Sequence, residues 1–200
     1  EMKRIIILIP IFNDWDSLNK LLAEINNNIK DFKNFYFECL IVNDASTISR
    51  PKILKPPNIR SLRLMNMKIN KGHARCNAFG IRYVSQKENF DYLILMDGDG
   101  EDRPIEIKGL LGAIKKDPNT SVVAKRIKRS EGSFFQMLYF GHKVLTYFFT
   151  GKKINFGNYS CLTKKDVEKL SYKPSLWSSY SGTVKKNIKK FSEINSIRGV

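Results

Sequence analysis

Cysteine, histidine and acidic residues are scarce in this 200-residue chain. Its three cysteines, Cys39, Cys76 and Cys161, stand far apart and in odd number, which fits neither a disulfide framework nor the paired spacing of a zinc site. A reducing compartment, the cytoplasm, is the expectation. Long apolar runs are missing too: Ile5-Ile6-Ile7-Leu8-Ile9 follows directly on Glu1-Met2-Lys3-Arg4, too short for a signal sequence or a bilayer span. No internal repeat or low-complexity tract occurs. Acids number 19 against 35 Lys and Arg, a formal charge of +16, so the surface should attract polyanions, whether phosphorylated substrates, anionic lipid or nucleic acid. Charge alone does not choose among them.

What is present is a globular proportion of apolar residues, 42%, enough for one core of ordinary domain size over residues 1–200. The end at Gly199-Val200 leaves room for the natural chain to continue. Segments 5–10, 37–42, 60–65, 92–96 and 121–124 are short, rich in β-branched or aromatic residues and bounded by turn residues, the pattern of strands. Their near-continuous apolar character predicts burial on both faces. Between them Trp15, Leu18, Leu21, Leu22, Ile25 and Ile29 recur at helical spacing, as do Ile107, Leu110, Leu111 and Ile114, and less cleanly Ala74, Ala78, Ile81 and Tyr83. The alternation predicts an α/β fold with a mainly parallel sheet flanked by helices and joined by right-handed crossovers. After residue 124 a basic stretch, 125–129, leads into an aromatic-rich segment, 134–150, which His142 and Lys143 interrupt; it reads as a buried or interfacial helix.

In such sheets ligands bind beyond the carboxyl ends of the strands. Three polar segments follow strands directly: 10–14, 43–46 and 97–102. Asp97-Gly98-Asp99 sets two carboxylates one residue apart where Gly98 permits close backbone approach. Hard oxygen ligands of this kind suit Mg²⁺ or Mn²⁺ bridging a diphosphate, and Glu101 and Asp102 extend the cluster. The plain alternative is a solvated turn in which Asp102 caps the helix opened by Pro104. Asp14 or Asn13 can likewise serve as an N-cap ahead of Trp15, and Asp44 and Ser46 can bond local backbone in a turn. Asn70-Lys71-Gly72-His73-Ala74-Arg75 opens a helix whose free amides and nearby cations favour a phosphate-bearing ligand.

Together these segments resemble the family 2 glycosyltransferases of GT-A fold. Pro10-Ile11-Phe12-Asn13-Asp14 is similar to that family's Pro-x-Phe/Tyr-Asn-Glu, with Asp for Glu. Val42-Asn43-Asp44-Ala45-Ser46 is similar to its Val-Asp-Asp-Gly-Ser; Asn70-Lys71-Gly72 with Ala74-Arg75 and the Asp97-Gly98-Asp99 motif follow in the same order. The second half looks most like the polyprenyl-phosphate sugar transferases, such as dolichol-phosphate mannose synthase: Glu101 precedes Pro104, Lys125-Arg126 resembles a basic Ser-Arg segment, and Phe156-Gly157-Asn158-Tyr159 resembles Gly-Asp-Phe, with Asn158 replacing the acid. The resemblance implies a donor half over about 1–100 and an acceptor half over 101–200. It implies that Asp44 meets base or ribose of a UDP- or GDP-sugar, that Pro10, Phe12, Asp14, Lys71, Arg75, Asp97 and Gly98 line the donor site, that Asp99 and Glu101 hold the metal, and that Arg126 meets the acceptor phosphate. Asp97, Asp99 and Arg126 are thus the candidate catalytic residues.

An inverting transfer to a hydroxyl needs a general base, whereas a phosphate acceptor is already an anion. Glu131 is isolated, and Asp166-Val167-Glu168 falls inside an apparent helix, so the reading leans toward a lipid phosphate. A glycan hydroxyl acceptor is the alternative. A nucleic-acid-binding module would use the charge but leave the acidic cluster unexplained, so nucleic acid is not the expected partner; a catalytically dead binding protein is a third reading. Residues 125–129, Lys143, Lys152-Lys153 and Lys185, Lys186, Lys189 and Lys190 are expected to form a basic surface around the aromatic helix, suited to an anionic membrane.

Overall fold

The computed structural model describes residues 2–127, 155–197 and 199. The expected helix over 134–150 lies outside the described residues, as do Lys128, Arg129, Glu131, His142, Lys143, Lys152 and Lys153. Seven strands form one sheet: β1 (Lys3–Ile11), β2 (Phe35–Asn43), β3 (Ile59–Asn66), β4 (Tyr92–Leu95), β5 (Val122–Arg126), β6 (Phe156–Thr163) and β7 (Ser192–Ser196). Their spatial order is β3-β2-β1-β4-β6-β5-β7. All run in one direction except β6, which is antiparallel to both β4 and β5. The helices are α1 (Trp15–Ile29), α2 (His73–Lys87), α3 (Ile107–Lys116), α4 (Lys164–Ser171) and α5 (Tyr180–Asn187), with 3₁₀ turns at Pro104–Glu106 and Pro174–Trp177.

The five expected strands and three expected helices all form. The apolar stripe Trp15, Leu18, Leu21, Leu22, Ile25, Ile29 buries α1 against one face of the sheet, joined by Ile107, Leu110, Leu111 and Ile114 of α3. On the other face α2, α4 and α5 cover Ile6, Leu8, Leu40, Leu93 and Leu95. Each fully buried aliphatic side chain there contributes on the order of 2 kcal/mol. Helix α2 has the weaker apolar pattern because it approaches closely: a Cβ on Gly80 would lie 2.5 Å from Leu8 Cδ1. Where burial on both faces was expected, β3 departs from it, since Ser61 to Met65 are only half-buried. The cause is its edge position, with β2 as its one neighbour. Strand β7, Ser-Glu-Ile-Asn-Ser, carries no apolar pattern and forms by parallel pairing with β5.

A partly buried charge cluster ties together β1, β2, β3 and the end of α2. Arg4 Nη2 lies 2.7 Å from Glu38 and 3.0 Å from Glu88, while Arg63 meets Glu88 and, at 3.5 Å, Glu38. The basic surface expected around 134–150 lies largely outside the described residues, and its described cations fall at two edges. Because β5 and β7 are parallel, residues preceding β7 lie at the edge where β5 begins: Lys190 pairs with Asp117 at 3.3 Å, just ahead of β5. Arg126 ends β5 at the opposite edge, so the cations 185–190 and Arg126 do not share one face.

Candidate functional site

The strand order runs outward from β1 through β2 to β3, then resumes on its other side with β4. Such a reversal leaves a crevice at the carboxyl ends of the two strands that flank it. A cavity of about 120 Å³ opens there, lined by Pro10, Phe12, Asp14, Asp44, Asp97, Gly98 and Asp99 from the sequence-predicted set. Ile11, His73 and Cys76 complete it. Lys71 and Arg75 stand exposed at the start of α2. Arg126, at the end of β5, and Glu101 lie outside this lining; the Arg126 guanidinium is 3.9 Å from Asp102 and packs over Gly157, where a Cβ would lie 3.1 Å from it.

Local chemistry fixes each loop. Asn13 takes a left-handed φ of 63° and binds the next loop: its amide N–H donates to Ser46 Oγ at 2.8 Å, and its Oδ1 accepts from the Thr47 and Ile48 amides at 2.8 and 3.0 Å. Asp14 occupies the N-cap position of α1 without a side-chain capping bond, so its carboxylate remains turned to the cavity. The turn after β2 is closed by Asn43, whose Oδ1 accepts from Ser46 N at 3.0 Å. Asp44 instead accepts from the amides of Lys71 and Gly72, both at 2.8 Å, and so anchors the entry to α2. A local turn was the plain reading of Asp44; the structure shows a bond across two loops.

The acidic turn is held just as closely. A Cβ on Gly98 would lie 2.9 Å from the Pro10 carbonyl oxygen and 2.7 Å from Ile11 Cγ2, so only glycine lets the turn approach β1. Asp102 does not cap the following 3₁₀ turn; its Oδ2 accepts from Asp97 N at 2.9 Å. Asp99 Oδ1 accepts from Glu101 N at 2.9 Å. Among the described residues no three His, Cys, Asp or Glu side chains converge as a closed metal site. Two carboxylates on an open turn do suit a cation whose remaining ligands come from a bound diphosphate and water.

Sequence reasoning did not single out His73 or Asn158 as a pair. His73 Nε2 lies 3.1 Å from Asp97 Oδ1, and Asn158 Nδ2, from β6, lies 3.3 Å from the same oxygen. The hydrogen bond to Asp97 raises the His73 pKa, against the opposing effect of burial. At Asp97 burial works to raise the carboxyl, but the bond and charge of His73, the Asn158 amide and Arg126 outweigh it and hold the pKa low. Asp99 is pushed up, by burial first and then by Glu101, Asp97 and Asp14. Asp102 rises to about 7, through burial and the neighbouring Asp97 charge. The cleft therefore has a surplus of negative charge on its Asp99 side, which a divalent cation would relieve.

Comparison with known proteins follows the same lines. A family model described as glycosyl transferase family 2 matches residues 6–167. The chain is 23% identical over 137 residues to the undecaprenyl-phosphate 4-deoxy-4-formamido-L-arabinose transferase of Proteus mirabilis, covering 68% of this chain and 40% of that one. It is similar in structure to a mannosyltransferase of Pyrobaculum calidifontis in complex with GDP-Man and Mn²⁺, with TM-score 0.64, 16% identity, and 99% and 56% of the two chains covered. It is also similar to S. aureus TarS in complex with UDP-GlcNAc, with TM-score 0.61, 12% identity, and 98% and 59% covered. These likenesses show the GT-A fold, and the chain spans well under two thirds of each of the three proteins.

Proposed function

The chain belongs to glycosyltransferase family 2, and from that premise we propose that it moves a sugar, with inversion, from a UDP- or GDP-sugar to a polyprenyl phosphate at a membrane surface. The convergence of Pro10, Phe12, Asp14, Asp44, Asp97, Gly98 and Asp99 on one cleft at the strand reversal carries the reading. Residues from about 1–100 bind the donor in this reading, and those from 101–200 receive the acceptor. Asp99 and Glu101 would hold Mg²⁺ or Mn²⁺, which supplies charge neutralisation for the departing nucleoside diphosphate. The P. calidifontis protein, similar in fold, was captured with GDP-Man and Mn²⁺.

The chain's own residues then divide the work. Asp44 accepts from Lys71 and Gly72 through one lone pair on each oxygen, leaving the others to accept from ribose or base. Lys71 and Arg75, exposed where α2 begins, favour a diphosphate. His73 and Asn158 hold Asp97 in its charged, oriented form. Asp97 thereby presents a fixed acceptor to the donor. Arg126 is half-exposed and its acidic neighbour, Asp102, is distant and raised to about 7. Its guanidinium, facing Asp97 and Asp102 from one side and half-exposed on the other, suits an anionic acceptor. A phosphate needs no proton removed before attack, which agrees with Asp166 being engaged elsewhere, as the acceptor of the Ser121 hydroxyl. The similarity to a P. mirabilis undecaprenyl-phosphate sugar transferase supports the same acceptor class.

Thermal shift measured with UDP- and GDP-sugars, with and without Mn²⁺, tests the reading, because a ligand that binds only the native state raises Tm by mass action. A metal-dependent rise with one nucleotide class is expected. No rise with any of them at millimolar concentration would reject it.

A further inference from the structure

Strands β1, β2, β3, β4, β5 and β7 share one direction, so whatever follows their ends emerges at a single edge of the sheet. Of the nine exposed large apolar side chains among the described residues, six lie there: Phe12, Ile48, Ile69, Ile105, Ile127 and Ile197, each 42–57% exposed. The other three lie elsewhere: Met2 precedes β1, Leu54 sits in the loop returning to β3, and Tyr172 follows α4. Scattered single apolar side chains are ordinary on a protein surface, but a concentration on one edge marks an interaction site.

Three of these side chains stand on hydrogen-bonded backbone. Ile48 N donates to Asn13 Oδ1 at 3.0 Å and its carbonyl accepts from Trp15 Nε1 at 3.1 Å. Ile127 N donates to the Ser196 carbonyl at 2.9 Å, and Ile197 N donates to Glu106 Oε1 at 2.8 Å. Beside them stand the exposed cations Arg50 and Lys68, apart from Lys71, Arg75 and Arg126 of the donor and acceptor sites. The acids of this edge are Asp14, Asp44, Asp97 and Asp99 in the cleft, Glu101 and Asp102 on the turn after β4, Asp16 in the first turn of α1, and Glu106, whose carboxylate accepts from Ser196 Oγ and Ile197 N.

We propose that this rim docks on an anionic lipid bilayer, with the isoleucines reaching below the headgroups, the cations meeting lipid phosphates, and the cleft mouth held against the membrane. A nucleic acid would engage the cations but leave six apolar side chains facing water. The rim is a different surface from the lysine cluster near β7, which lies at the far edge of the sheet. The inference rests on the lipid-phosphate reading for its purpose, and its test does not.

Co-sedimentation with phosphatidylcholine vesicles, with and without phosphatidylglycerol, provides the test. The parent protein should bind only the anionic vesicles and should be released as salt approaches about 1 M, where the Debye length falls to about 3 Å. Ile48→Ser, Ile69→Ser and Ile127→Ser combined should weaken binding by at least about tenfold. Arg50→Gln with Lys68→Gln should weaken it roughly 25-fold, about fivefold per cation near such a surface. Met2→Ser with Tyr172→Ser should bind like the parent. The single isoleucine variants, checked by circular dichroism, replace the triple one should it misfold. Equal binding by rim and control variants, equal partitioning to neutral vesicles, or none by the parent would overturn the proposal. Nucleotide thermal shifts on the same samples separate the two readings: intact shifts without vesicle binding sink only the rim, and vesicle binding without shifts sinks only the sugar transfer.

Discussion

The two edges of the sheet are built on different terms. Near the edge where the strands begin, Arg4, Glu38, Glu88 and Arg63 neutralise one another across four elements, and Asp91 accepts from Arg4 N at 2.8 Å. At the edge where they end, carboxylates face one another, and the four residues with left-handed φ among those described all occur there: Asn13, Ala45, Gly72 and Gly100, following β1, β2, β3 and β4 in turn. Paired charge serves stability; unpaired charge and strained backbone persist where a ligand completes them. The contrast is testable, because substitutions at one edge should register in ligand binding and at the other in stability.

The largest effect is expected at the acidic turn. Asp99 is exposed and among the described residues accepts from a backbone amide two residues on, so Asp99→Asn should cost little stability, under about 0.5 kcal/mol. Metal-dependent nucleotide affinity should fall by several kcal/mol, on the order of a thousandfold. Calorimetric titration of UDP and GDP in Mn²⁺ measures it, and unchanged affinity would leave the turn a purely structural role.

At the opposite edge Glu88→Gln should lower stability by about 2 kcal/mol, because it removes the charge from partly buried bonds to Arg4 and Arg63, while nucleotide affinity stays the same. Burial works against the Glu88 charge, but the bonds and charges of Arg63 and Arg4 prevail and its pKa lies below the ordinary 4.5. A carboxylate depressed in the folded state contributes stability that is complete above the unfolded value and is lost as pH falls through the folded one. Urea midpoints of the parent should therefore decline below about pH 4.5, and those of Glu88→Gln should decline less steeply there. Parallel pH profiles would remove Glu88 from the account.

Asp44 belongs to both categories, and it shows what sequence could and could not reveal. The motif located it beyond β2, but its bonds to Lys71 and Gly72 join residues far apart in the chain, and no local pattern encodes such a contact. Strands β1, β2, β4 and β5 were legible because burial leaves them almost continuously apolar. Strand β7 was not, because its stability comes from pairing with β5 and its side chains are largely exposed. His73 hid in a segment already read as a helix start, and Asn158, which shares the Asp97 carboxylate with it, comes from β6. That the described cations 185–190 and Arg126 fall at opposite edges was hidden likewise, since sequence proximity says nothing of which edge a strand starts from.

Asp44→Ala should therefore weaken two quantities together. Losing two charge-assisted bonds should destabilise the fold by about 2 kcal/mol, and metal-free nucleotide affinity should fall by about 1–3 kcal/mol. Asp44→Asn retains an acceptor for one amide and should recover part of the stability. Stability lost with affinity unchanged would assign Asp44 to the loop alone.

The smallest expected effect probes the strained backbone itself. Ala45 holds a φ of 56° between Asp44 and Ser46, with its side chain half-buried. An alanine pays about 1–2 kcal/mol for a left-handed conformation, whereas glycine adopts it freely but loses about 0.5–1 kcal/mol more conformational entropy on folding. The difference predicts that Ala45→Gly raises stability by on the order of 0.5 kcal/mol, roughly 1–2 °C in Tm for a chain of this size. A loop less preorganised in the unfolded and unliganded states should bind nucleotide no better than the parent. The control is Ala23→Gly on the exposed side of α1, where the same chemical change should cost about 1 kcal/mol. Opposite signs at the two alanines would establish that strain is stored at the cleft edge. Equal losses would mean that Ala45 is unstrained, and the contrast between the two edges would then rest on charge alone.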